Sequence, residues 1–80
     1  MPTVLRLEGY RFFFYSRENN EPAHIHVEMG DALAKFWLDP VELASSKRFR
    51  AHELGVIRQM VLEYQPAFMG ARNDYFNAGE

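Results

Sequence analysis

The sequence predicts an α+β domain, with an antiparallel sheet of three to four strands in the N-terminal half packed by two C-terminal helices, and a further short helix after Asp39-Pro40. Three observations carry this. Residues 3–38 hold alternating β-branched and aromatic residues interrupted by Glu8-Gly9 and Gly30-Asp31. From Ala51 the apolar residues switch to three-and-four spacing, and the strand-like segments all precede the helical ones. A chain of 80 residues has room for one domain, residues 1–80, and one core, burying roughly 60 to 65% of the surface that an unfolded chain exposes.

The elements follow in order. Val4, Leu5 and Leu7 form a first strand, Glu8-Gly9 a tight turn, and residues 10–16 a second strand. Phe12, Phe13 and Phe14 are consecutive, so this strand buries side chains on both faces; Tyr10, Phe12 and Phe14 are assigned to the core, with Arg11, Phe13 and Tyr15 opposite. Residues 17–22 are polar and end in Pro22, which predicts a loop. A third strand runs over about residues 24–29. Gly30-Asp31 has hairpin-turn composition, although Asp-Gly is the commoner order. The fourth strand, residues 32–38, places Ala34, Phe36 and Leu38 on one face and Leu33, Lys35 and Trp37 on the other.

Asp39-Pro40-Val41-Glu42 reads as a helix start, with Asp39 as cap, Pro40 in the first turn and Glu42 completing a capping box, and predicts a helix over residues 40–45. Leu54, Ile57, Val61 and Tyr64 mark a buried stripe on a helix over residues 51–64. Gln65-Pro66 should end or kink it, because proline clashes with the preceding turn. A last helix covers residues 66–76, and residues 77–80 fray.

Composition excludes several functions. The 48% hydrophobic and 15% aromatic content favours a folded globule over a disordered tail. Cysteine is absent, which removes disulfides, thiolate metal sites and thiol nucleophiles and fits a reducing cytoplasm. No apolar run reaches the ~18 residues of a membrane span, and the start lacks a signal-peptide pattern; the expectation is a soluble, unprocessed, intracellular protein. A net charge of -2 argues against a uniformly basic nucleic-acid binder. The local basic run Lys47-Arg48-Phe49-Arg50 reads as a solvated loop with Phe49 tucked into the core.

The most informative segment is Glu21-Pro22-Ala23-His24-Ile25-His26-Val27-Glu28. On a strand, His24, His26 and Glu28 project outward from one face, while Ile25, Val27 and Met29 fill the core. With the predicted pairing, the same face collects Arg11, Phe13, Tyr15, Lys35 and Trp37.

Taken together, Pro2-Thr3-Val4, residues 9–16 (Gly-Tyr-Arg-Phe-Phe-Phe-Tyr-Ser), residues 20–27 (Asn-Glu-Pro-Ala-His-Ile-His-Val) and residues 34–41 (Ala-Lys-Phe-Trp-Leu-Asp-Pro-Val) resemble the small bacterial family catalogued as domain of unknown function 4160. The resemblance implies membership of a two-gene toxin and antitoxin type module, with a cognate small protein encoded by a neighbouring gene as partner. Three departures stand out. Ala23 replaces a frequent second proline, Arg50 a small helix-capping Ser, and Arg72-Asn73 a frequent Trp-His before Tyr75-Phe76.

Three chemistries compete for the His24 and His26 face. An interaction module would recruit a peptide or subunit through exposed aromatics and an edge strand, and is compatible with a homodimer. A metal-independent ribonuclease would stack bases on Phe13, Tyr15 or Trp37, meet phosphates with Arg11 and Lys35, and divide acid and base roles among His24, His26 and Glu21. A metal site would use His24 and His26 with Glu28 or Glu21 for zinc or another transition metal, with His52 as a remote candidate. No metal or other cofactor is favoured. The interaction module is the leading expectation, since it needs no special catalytic geometry.

Overall fold

A computed structural model describes residues 3–15 and 21–77 and contains five strands and one helix: β1 (Thr3–Leu7), β2 (Tyr10–Phe13), β3 (His24–Met29), β4 (Ala32–Leu38), β5 (Val41–Lys47) and α1 (Ala51–Asn77). The expectations for Ser16, for residues 17–20 of the predicted loop and for the tail after Asn77 lie outside the described residues. All strands belong to one antiparallel sheet in the order β1-β2-β3-β4-β5, so each strand pairs with its neighbour in sequence.

Two of the tight turns follow from glycine position. Glu8 and Gly9 both take positive φ, 52° and 90°, the signature of a type I′ hairpin with Gly second. At Gly30-Asp31 only Gly30 has positive φ, 60°. That is the type II′ pattern, in which Gly belongs first, and it accounts for the reversed order.

The segment after Asp39-Pro40 is a strand, not the predicted helix. Asp39 and Pro40, joined by a cis peptide bond, link β4 to β5, and Leu38 pairs directly with Val41. A helix over residues 40–45 would be little more than a turn, and nucleation makes so short a helix marginal. Pairing against β4 instead holds one side of a seven-residue strand and buries Val41. Glu42, expected in a capping box, lies opposite Trp37 on β5. The sheet therefore has five strands rather than three to four.

The two predicted C-terminal helices are one helix of 27 residues that runs through Pro66. Proline in a helix interior costs about 3 kcal/mol, yet the buried stripe continues across it. Ile57, Met60, Val61 and Phe68 are buried, with Leu54, Tyr64, Met69, Ala71 and Tyr75 packed beside them. Phe68 stacks on Phe12 at 5.3 Å between ring centres and Tyr75 on Phe14 at 6.2 Å. Complete burial of a Phe side chain contributes about 1.5 to 3 kcal/mol, so Phe68 with Met69 and Tyr75 offsets the proline. Pro66 itself faces solvent.

The helix start uses half of a capping box. Glu53 accepts from the Arg50 backbone N–H at 2.8 Å, while Arg50 has no side-chain acceptor to offer in return. Within the basic run, Phe49 packs half-buried against Tyr10 at 6.2 Å, and Arg48 pairs with Asp31 at 3.4 Å on the surface.

The helix crosses one face of the sheet, chiefly over β4 and β5. The core between them contains Tyr10, Phe12, Phe14, Ile25, Val27, Ala34, Phe36 and Leu38, the alternate residues assigned to it by strand periodicity. Among the described residues, no helix is long and apolar enough to cross a membrane.

Candidate functional site on the helix-free sheet face

The opposite face is assembled by cross-strand pairing. Arg11 lies opposite Glu28, Phe13 opposite His26, His26 opposite Lys35, and His24 opposite Trp37. Directly opposed residues share a face. Arg11, Phe13, His24, His26, Glu28, Lys35 and Trp37 therefore meet on one surface, with Tyr15 at its border through its contact with His26.

The expectation that both imidazoles project outward is corrected by their burial. His24 is 4% and His26 5% exposed. Aromatic neighbours supplied by other segments cover them. The His26 ring stacks against Phe13 at 5.5 Å and meets the edge of Tyr15 at 4.3 Å. His24 meets His26 edge-on at 5.1 Å and Trp37 at 5.7 Å. His24 Nδ1 lies 2.8 Å from the Pro22 carbonyl. A carbonyl only accepts, so Nδ1 carries the proton and, in the neutral ring, Nε2 holds the lone pair.

Arg11, Glu28, Lys35 and Glu21 are engaged in ion pairs on this face. Arg11 Nη1 contacts Glu28 at 2.5 Å and Arg11 Nε donates to Thr3 Oγ1 at 2.7 Å, while the guanidinium lies 4.4 Å from the centre of the Phe13 ring. Lys35 Nζ lies 2.7 Å from Glu21 and 4.7 Å from the centre of the Trp37 ring. Glu21 is also 3.7 Å from His24 Nδ1, so the three residues given acid and base roles do converge. Its closer partner is nonetheless the lysine.

The ligand set His24, His26 and Glu28 is divided, because Glu28 turns to Arg11. Among the described residues, no group of three or more His, Cys, Asp or Glu side chains is placed to hold a metal ion. His52 lies exposed in the first turn of α1, on a different element.

Sequence reasoning missed the contribution of β5. Ser45, Ser46 and Lys47 join Tyr15, His26, Leu33, Ala34 and Lys35 around a cleft of about 240 Å³. Reading residues 40–45 as helical hid this edge; the available signal was the Ser45-Ser46 pair, which disfavours a helix interior. Thr3, which holds Arg11, was likewise not singled out.

Architecture and site together define a two-layer α+β domain whose sheet carries a helix on one face and an aromatic, ion-paired surface on the other. The family model described as Domain of unknown function (DUF4160) matches residues 9–71, and the chain belongs to that family. The match runs from the β1–β2 turn through most of α1. Neither a curated protein nor a solved structure matches the chain.

Proposed function

We propose that this chain is a protein-interaction domain of a toxin–antitoxin type module and that it docks a small partner protein through the helix-free sheet face. One observation carries this reading: Arg11 and Lys35 are each paired with a carboxylate and each set over an aromatic ring. A phosphate-binding surface needs cations available to replace counterions. At Arg11 or Lys35 a phosphate would have to displace Glu28 or Glu21. Aromatic residues, arginine and locally balanced charge instead suit a protein interface.

Burial of the imidazoles supports the same reading. A general acid or base must come within hydrogen-bond reach of the proton it transfers, and rings covered by Phe13, Tyr15 and Trp37 are poorly placed to meet a ribose hydroxyl. The two-gene setting is what the family resemblance implies.

Co-expression with the small protein encoded by the neighbouring gene tests the proposal. The expected result is a complex that survives purification and is weakened by Trp37→Ala, with the circular dichroism of the variant unchanged. Failure to co-purify across low and high salt overturns it. RNA cleavage by the purified chain that disappears in His24→Ala/His26→Ala, with the fold retained, would replace it with the ribonuclease reading.

A further inference from the structure

We propose that β5 pairs with β5 of a second copy of this chain, antiparallel, in the register that sets Glu42 opposite Lys47 of the second copy. The proposal concerns the free edge of β5, which borders the partner-docking face, and does not depend on that docking. β5 is one of the two edges of the sheet, and its residues Glu42, Leu43, Ser45, Ser46 and Lys47 are exposed. Such an edge presents unpaired N–H and C=O groups along one side.

An irregularity in β5 selects the register. Lys35 pairs with Ser45 and Phe36 with Leu43, which leaves Ala44 without a partner on β4. Glu42 lies opposite Trp37 and Lys47 opposite Leu33, so both charges stand on the helix-free face. Leu43 and Ser46 lie opposite Phe36 and Ala34, on the helix side. In a regular strand, Glu42 and Lys47 would point to opposite faces; the bulge brings them to the same one.

A two-fold axis normal to the sheet joins two β5 edges face to matching face. Setting 42 against 47 and 43 against 46 meets that condition at each of these positions. A slip of one residue sets helix-side residues against helix-free residues, which the pleat forbids. The charges then complement each other, and symmetry forms the Glu42–Lys47 contact twice. Within the described residues, neither side chain has a hydrogen bond or ion pair of its own. Lysine and a bulge on an edge usually block strand addition, but here the same strand carries the acidic complement. The other edge, β1, contains Arg6 and no acidic residue, so it lacks this self-complementarity.

Sedimentation velocity over a concentration series, run on the purified full chain, tests the proposal. A dimer is expected, and Glu42→Lys and Lys47→Glu should each raise its dissociation constant roughly tenfold by placing like charges opposite each other twice. The double exchange Glu42→Lys/Lys47→Glu should return it to the parent value. In parallel, Glu42→Cys/Lys47→Cys should form a disulfide-linked dimer on mild oxidation. A monomer throughout the series, an assembly larger than a dimer, a double exchange that melts like the parent without restoring affinity, or a cysteine variant that stays monomeric each overturns the proposal.

Discussion

The Gln65 side-chain amide donates to the Leu38 carbonyl at 2.9 Å, and the Leu38 N–H donates to the Ala23 carbonyl at 2.9 Å. The middle of α1, one residue before Pro66, is thereby tied to the end of β4 and to the approach to β3. Gln65→Ala should lower unfolding stability by about 1 kcal/mol. Urea denaturation measures it, and hydrogen exchange should report faster opening of α1 after Pro66.

Glycines on the helix and in the hairpins should respond in opposite directions. A Cβ at Gly55 or Gly70 meets nothing within 4 Å, so Gly55→Ala and Gly70→Ala should each stabilise by about 0.5 to 1 kcal/mol. At Gly9, φ is +90° and a Cβ would lie 2.8 Å from Met29 Cε, so Gly9→Ala should destabilise by about 1 kcal/mol or more. Thermal melts of the three variants check the contrast in sign.

Completing the helix cap should add stability. Glu53 already receives the Arg50 amide at 2.8 Å, and Arg50→Ser would supply the missing acceptor for the first-turn amides. The expected gain is about 0.5 to 1 kcal/mol, read as an increased urea midpoint. No gain would indicate that the exposed Arg50 side chain contributes more than its geometry suggests.

His26 should behave as a packed residue. Its ring is sandwiched among Phe13, Tyr15 and His24, so His26→Ala should cost about 2 kcal/mol or more from lost contacts and the space left behind. Denaturant unfolding measures the loss. A variant as stable as the parent would mean that the aromatic cover closes over the vacated site.

Strand periodicity alone made the two sheet faces legible. Tyr10, Phe12 and Phe14 reach the core, and His24, His26 and Trp37 share the other face, because alternation is a property of the extended backbone itself. The number of elements was less legible. Asp39-Pro40-Val41-Glu42 carries a local helix-start pattern, but pairing with β4 is a nonlocal contact that no short window contains. Gln65-Pro66 reads as a break because the local cost is visible, whereas Phe12 and Phe14, which hold the continuing helix through Phe68 and Tyr75, lie more than fifty positions away. Burial of the histidines escaped for a related reason: polar residues on a sheet face suggest exposure, and their cover comes from side chains contributed by several segments.

Alternation along each strand also separates what folding demands from what the proposed docking would use. Phe12, Ile25 and Phe36 are anchored beneath the helix, whereas Arg11, Lys35 and Trp37 stand on the reverse of the same strands. Under the docking proposed above, variation at the latter positions would redraw the landscape that a partner meets while the scaffold beneath stays put, giving one architecture the means to acquire new associates by changing alternate letters.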